Sequence, residues 1–238
     1  MDFGDMMKIL FAPAKTFNLK LDEKPLNYRF VKESNSLQEI LKSYKEEELI
    51  KHYSISDKLL SEVKNYIHGF DKEQGFEAIS MFKGEAYKAL KVESLSNENR
   101  SFLQENVYIV DALYGLLKPN DVIRPYRLDF LFKGFDLRSF WKDKINKALL
   151  KETNTVLSLA SKEFSSLIDR EHINLYEVTF YNLINGSYKA VSMYNKHHRG
   201  ELLRFIIEHE IKDIQALPKS FFGYHLEMKL NQIEYYKD

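Results

Sequence analysis

The chain has 238 residues, with 35 Lys/Arg against 35 Asp/Glu, 44% hydrophobic residues and no cysteine. That length supports one large domain or two small ones with a packed core. The zero net charge withholds the overall basic signature common in nucleic-acid binders, and the lack of cysteine excludes disulfides, thiolate metal sites and thiol-based redox chemistry.

No apolar run reaches about 18 residues, so no membrane span is expected. Met1–Met7 lacks a basic n-region and an apolar h-region; with no export signal, the cytoplasm is the expected compartment. Met7-Lys8-Ile9-Leu10 reads as a second start, leaving residues 1–6 as an N-terminal extension and 7–238 as a single domain. In chain order, Lys8–Ala12 predicts a short buried strand ended by Pro13, and Thr16–Arg29 a polar loop. Leu37, Ile40, Leu41 and Tyr44 recur at helical spacing, predicting a helix from a Ser36 cap to about Ile50. A second helix starts at Ser56–Asp57 and ends near Gly69, and Glu77–Leu90 is helical in part, weakened by Gly84. Asn106–Val110 and Arg127–Phe132 read as strands, with a helix from a Ser139 cap to Leu150. Thr155–Leu159, Tyr176–Tyr181 and Tyr188–Met193 are further strands, followed by a helix over Lys196–Ile211 and one or two strands in Tyr224–Tyr235. Helices and strands mix without strict alternation, which predicts an α+β unit, with two lobes around a basic cleft as one arrangement.

The densest chemistry lies in Val110–Phe130, where Asp111, Tyr114, Lys118, Asp121, Arg124, Tyr126, Arg127 and Asp129 interleave with apolar residues. Lys118, Arg124 and Arg127 suit phosphate contacts and Tyr114 and Tyr126 suit stacking on bases. The same charges also suit a structural ion-pair network of Asp111, Arg124, Arg127 and Asp129. The turn Leu117-Lys118-Pro119-Asn120 fits a helix-hairpin-helix loosely, without its glycine-rich hairpin. Lys15 follows the first strand, where a lysine lines a cleft or decorates a turn. Lys83 and Tyr87 are four apart and suit a phosphate or a base, or an ordinary half-buried pair. Lys196-His197-His198-Arg199 falls in the first turn of a helix capped by Asn195, an unfavourable place for cations unless an anion docks there. Ser161-Lys162 admits a Ser/Lys pair or a Ser-capped helix. The seven histidines make no recognised metal spacing, so neither a metal nor another cofactor is expected.

FAPAKT (11–16), MFKGEAYKAL (81–90), ALYGLLKPNDVIRPYRLDF (112–130), FWKDKI (140–145), LASKEF (159–164) and YNKHHRGELLRFII (194–207) together resemble the YaaA family of peroxide-stress proteins, formerly an uncharacterised family. The resemblance runs from about Met7 to the end. It departs at Ala12, where a serine is usual, and at His197-His198, which replace a lysine-rich or alanine-containing pair. It implies a bacterial cytoplasmic protein of the hydrogen peroxide response that limits free-iron damage to DNA. It also implies an unusual α+β fold and a basic cleft that binds DNA, duplex or branched. The cleft residues would be Lys15, Lys83, Lys118, Arg124, Arg127, Lys196 and Arg199, with Tyr87, Tyr114 and Tyr126 able to stack. The alternative is an enzyme acting on a nucleotide, nucleoside or nucleic acid, with Glu85, Asp111 or Glu163 as acid/base groups.

Overall fold

The computed structural model describes residues 6–238; the expected N-terminal extension lies almost wholly outside them. The chain enters through β1 (Lys8–Phe11), a KILF run buried at every position and too short for a helix. β2 (Thr16–Phe17) and β3 (Lys24–Pro25) are two-residue strands within the polar segment. Three helices follow: α1 (Val31–Ser43), α2 (Glu46–Tyr53) and α3 (Asp57–His68). The single helix predicted over Ser36–Ile50 is therefore two. Tyr44 turns extended at ψ 138°, and its hydroxyl donates to the Gly134 carbonyl at 2.7 Å. Ser36 lies inside α1 and donates to Lys32 O instead of capping.

β4 (Gln74–Glu77), α4 (Ala78–Met81), β5 (Phe82–Lys83) and α5 (Glu85–Leu90) make the partly helical stretch, with Gly84 between the last two. α6 (Asn97–Asn106), capped by the Ser96 side chain on Asn99 N, feeds β6 (Val107–Asp111), β7 (Gly115–Leu117) and β8 (Val122–Ile123). Gly115 makes the β6–β7 turn at φ +76°, and a Cβ there would lie 2.5 Å from the Trp141 ring. Both the left-handed backbone and the contact require glycine. The turn at Leu117–Asn120 thus joins two strands, and no helix flanks it: the expected helix-hairpin-helix does not form there. Leu117 and Leu116 are spent pairing with Ile109 and Val110 across the sheet.

The strand predicted at Arg127–Phe132 is also absent. Asp129 folds the chain back, its carboxylate accepting from Leu131 N at 2.9 Å while its carbonyl accepts from Phe132 N. α7 (Leu137–Leu149) is capped by Asp136 on Ser139 N rather than by Ser139. The remaining elements are β9 (Thr155–Ser158), α8 (Lys162–Ser165), β10 (Asn174–Ile184), β11 (Ser187–Lys189), α9 (Ser192–Glu208), β12 (Ser220–Phe221), β13 (Tyr224–Lys229) and β14 (Gln232–Lys237).

The large sheet runs β12-β13-β14-β10-β9-β1-β6-β7, with β11 paired to β10. Its centre is parallel: β14 with β10, β10 with β9, β9 with β1, and β1 with β6. Antiparallel hairpins close both edges. Small sheets β2–β5 and β3–β4–β8 stand beside it. The architecture is a mixed α+β fold around one continuous apolar core reaching from Met7 to Tyr235. Among the described residues, no helix is long and apolar enough to cross a membrane.

Candidate functional site

Because β1, β6, β9 and β10 run parallel, their carboxyl ends share one edge of the sheet, the usual place for a ligand crevice in such sheets. A cavity of about 900 Å³ opens there. β1 delivers Ala12–Thr16, β6 delivers Ala112, β9 delivers Leu159 and Ser161–Phe164, and the long β10 brings Thr179. α5 and α9, packed along each other, form a further wall. Aromatic and aliphatic side chains such as Phe11, Phe17, Leu128 and Phe164 line part of it. Seven cationic side chains face it against three carboxylates, so the chain's zero net charge conceals a positive chamber.

Of the expected cleft cations, Lys15, Lys83, Arg127, Lys196 and Arg199 line this cavity, as do Glu85, Glu163, Tyr87 and Tyr126. Lys118, Arg124, Tyr114 and Asp111 do not. Lys118 lies toward the amino ends of the parallel strands, where Nζ donates to Glu105 O, pairs with Glu152 at 3.6 Å and sits 3.9 Å over the Tyr108 ring. Arg124 is buried and donates to the Lys72 carbonyl. Tyr114 has no exposed surface; its hydroxyl donates to Arg124 O at 3.1 Å and its ring lies against Tyr28 and Tyr126. It is a core residue with no face open to a base. Tyr87 and Tyr126 touch the cavity with only 8% and 4% of their surface exposed, and their hydroxyls are occupied by Ala12 O and Asp111.

Asp111 lies beneath the wall, wholly buried. Oδ1 accepts from Leu113 N and Tyr114 N at 2.8 Å each, and Oδ2 accepts from the Tyr126 hydroxyl. Burial pushes its pKa up to about 6 against these donors. Its position makes it a brace for the cavity wall, without contact to a ligand. The ion-pair network of Asp111, Arg124, Arg127 and Asp129 does not form: Asp129 instead pairs with Lys15 at 2.5 Å.

α9 starts earlier than the sequence predicts. The helix begins at Ser192, so Asn195 and the basic run occupy its second turn, beyond reach of an N-terminal anion site. Asn195 is buried and grips β10: Oδ1 accepts from Phe180 N at 2.9 Å and Nδ2 donates to Phe180 O at 2.8 Å. That clamp turns one helical face, Ser192, Asn195, Lys196 and Arg199, toward the cavity. His198 faces elsewhere, bonded to Glu201 at 2.7 Å and set against Tyr224, and burial lowers its pKa. Gly200 serves helix packing, not ligand approach: its Cβ would stand 2.1 Å from Ala86 O on α5. Arg199 donates through Nε and Nη2 to Val178 O at 3.1 and 2.7 Å, and burial lowers its pKa to about 10, still charged at neutral pH.

Ser161–Glu163, which carries the expected Ser161-Lys162 pair and Glu163, follows β9 as Lys15 follows β1, and all three residues line the cavity. Glu163 Oε1 is buried and accepts no hydrogen bond. Burial raises the pKa of Glu163, and the negative charge of Asp129 raises it further, against the pull of Lys15. Glu85, at the exposed rim, is held below its usual value by Lys88 at 2.7 Å.

Among the described residues, one group of three potential metal ligands comes together: Asp169, Glu171 and His172. None of the three lines the cavity, and Asp169 is already engaged by His172 and by Glu171 N.

Fold and site together define an α+β protein with a cation-rich chamber at the carboxyl ends of parallel strands. The chain belongs to the YaaA family: the model described as peroxide stress protein YaaA matches residues 7–230. It is similar to a UPF0246 protein of Rickettsia rickettsii, 34% identical over 239 residues covering 94% of this chain and 95% of that protein. A UPF0246 protein of Fusobacterium nucleatum is 30% identical with the same two coverages, and one of Lactobacillus helveticus is 32% identical over 87% and 86%.

Proposed function

We propose that this protein acts in the hydrogen peroxide response by binding DNA, and that it takes an unpaired nucleotide of the strand into the chamber. Family membership supports the oxidative-stress role. The observation that carries the binding reading is the convergence of Lys15, Lys83, Arg127, Lys196 and Arg199 on one cavity with apolar walls. About 900 Å³ is at the upper end of the range of small-ligand sites and admits a nucleotide, while a duplex reaches only the rim. Cations meet phosphate and the apolar walls meet a base. Occupying exposed nucleotides would shield them from iron-driven oxidation. The carboxylates Glu85, Asp129 and Glu163 favour a second reading, an enzyme acting on a nucleotide or nucleic acid in the same chamber.

The test is fluorescence anisotropy with single-stranded, bulged and fully paired DNA of one sequence across a salt series. Single-stranded and bulged DNA should bind at least tenfold more tightly than duplex. The single-strand salt slope should be about −0.7 per phosphate neutralised. Lys196→Glu, at an exposed position, should weaken binding. Equal affinity for all three DNAs, or wild-type binding by a folded Lys196→Glu protein, would sink the proposal.

A further inference from the structure

Two carboxylates in the chamber wall are held in different environments by different elements. Asp129, in the turn after the irregular segment, is fastened to Lys15 at 2.5 Å and accepts from Leu131 N. Glu163, on α8, has its Oε1 buried without any donor, a setting that suits a carboxyl group carrying its own proton. Both line the same cavity, beside apolar side chains and the cations Arg127 and Lys162. A neutral acid beside an ionised carboxylate is the pairing that cleaves bonds to an anomeric carbon: one group protonates the leaving group while the other steadies the positive charge developing on the sugar.

We propose that the chamber is a hydrolytic site for the N-glycosidic bond of a nucleotide, with Glu163 as general acid and Asp129 as the second carboxyl group. Lys15 is then a positioning residue that holds the Asp129 carboxylate in place in the chamber wall. The assignment rests on the nucleotide reading of the chamber. In the reaction, the bond from C1′ to the base nitrogen breaks and its electron pair leaves with the base, which takes the Glu163 proton. Water bonds to C1′, and its proton passes to Asp129 and returns by exchange to Glu163. The products are the free base and a sugar phosphate with a 1′-hydroxyl; no oxidant or reductant is consumed. Burial and Asp129 both raise the Glu163 pKa, while Lys15, Arg138 and the Phe130 N–H oppose them.

The experiment uses the full-length protein with single-stranded oligodeoxynucleotides carrying, at one defined position, each ordinary base or 8-oxoguanine. Binding is read by anisotropy, base release by chromatography, and abasic sites by alkaline cleavage. The proposal expects base release from at least one strand. Glu163→Gln should bind that strand within about twofold of wild type yet release base at least 100-fold more slowly. The wild-type rate should fall on the alkaline side as Glu163 ionises, a limb absent from Glu163→Gln. Strands bound without base release by wild type, or wild-type release by Glu163→Gln, overturn the catalytic assignment alone. Failure to bind any strand overturns the nucleotide reading and the assignment with it.

Discussion

Gly200 offers a sharp test of how the chamber is built. It lies on α9 where that helix crosses α5, and a Cβ added there would stand 2.1 Å from Ala86 O and 2.8 Å from Ala86 C. An ordinary contact needs at least 3.4 Å, so the helices must part by about 1.3 Å, the difference between the two. The obstacle is backbone and cannot rotate away. Gly200→Ala recovers about 1 kcal/mol of helix propensity, while forcing a methyl into packed space costs about 1–3 kcal/mol, here toward the upper end. The net is a loss of about 1–2 kcal/mol. For a chain of this length that lowers the melting temperature by about 2–8 °C. Trp141 is the sole tryptophan, wholly buried with Nε1 donating to Ala112 O at 2.8 Å, so its fluorescence follows the core directly. Gly69→Ala is the control. Gly69 has right-handed helical geometry at φ −72° and no atom within 4 Å of its added Cβ. It should leave the melting temperature unchanged or raise it slightly. Since α5 carries Glu85 and α9 carries Lys196 and Arg199, Gly200→Ala should also weaken oligonucleotide binding. A Gly200→Ala protein that melts at or above wild type would refute the close α5–α9 contact.

Asn195→Ala removes both bonds to Phe180 and leaves that backbone pair buried; urea unfolding should show a loss of about 2–4 kcal/mol, and no loss would mean α9 is held otherwise. Asp111 has a folded pKa of about 6 against 3.8, so the folded protein binds its proton more tightly than the unfolded chain does. Its contribution is therefore fully present below pH 4 and is lost as pH rises through 6, by about 3 kcal/mol. Asp111→Asn keeps an acceptor for Leu113 N and Tyr114 N, so urea unfolding from pH 4 to 7 should lack that decline; parallel wild-type and variant curves would contradict the burial. Lys118→Ala should leave oligonucleotide affinity within twofold of wild type while Lys196→Ala lowers it severalfold, because only Lys196 lines the chamber; an equal loss from both would return Lys118 to the binding surface.

What the sequence made legible follows from how local each signal is. β1 and β9 are short apolar runs that no other structure suits, and both were readable, as was the position of Lys15 after the first of them. Arg127, Lys196 and Arg199 stand out as candidate cleft residues, but their direction toward the cavity is not legible in the sequence. A residue type announces its chemistry, whereas its direction depends on partners far along the chain. Val110–Phe130 shows the difference most clearly. Its charges and tyrosines suggested a surface, yet Tyr114 is sealed in the core and Arg124 is consumed by the Lys72 carbonyl. Buried polar groups look the same in sequence as exposed ones, because burial is made affordable by acceptors found only in three dimensions. α9 failed in a related way. Asn195 resembles a cap, and the basic run after it favours that later start only if an anion docks there. The actual N-terminus frees Asn195 to clamp Phe180, and that clamp, rather than a helix dipole, turns Lys196 and Arg199 inward. The chamber's charge was hidden for the same reason. Its cations come from segments as distant as Lys15 and Arg199, and the parallel register of β1, β9 and β10 helps gather them at one edge. A neutral chain can therefore carry a strongly positive site. The folded register, more than total charge, bears on whether a protein like this one can hold an anion.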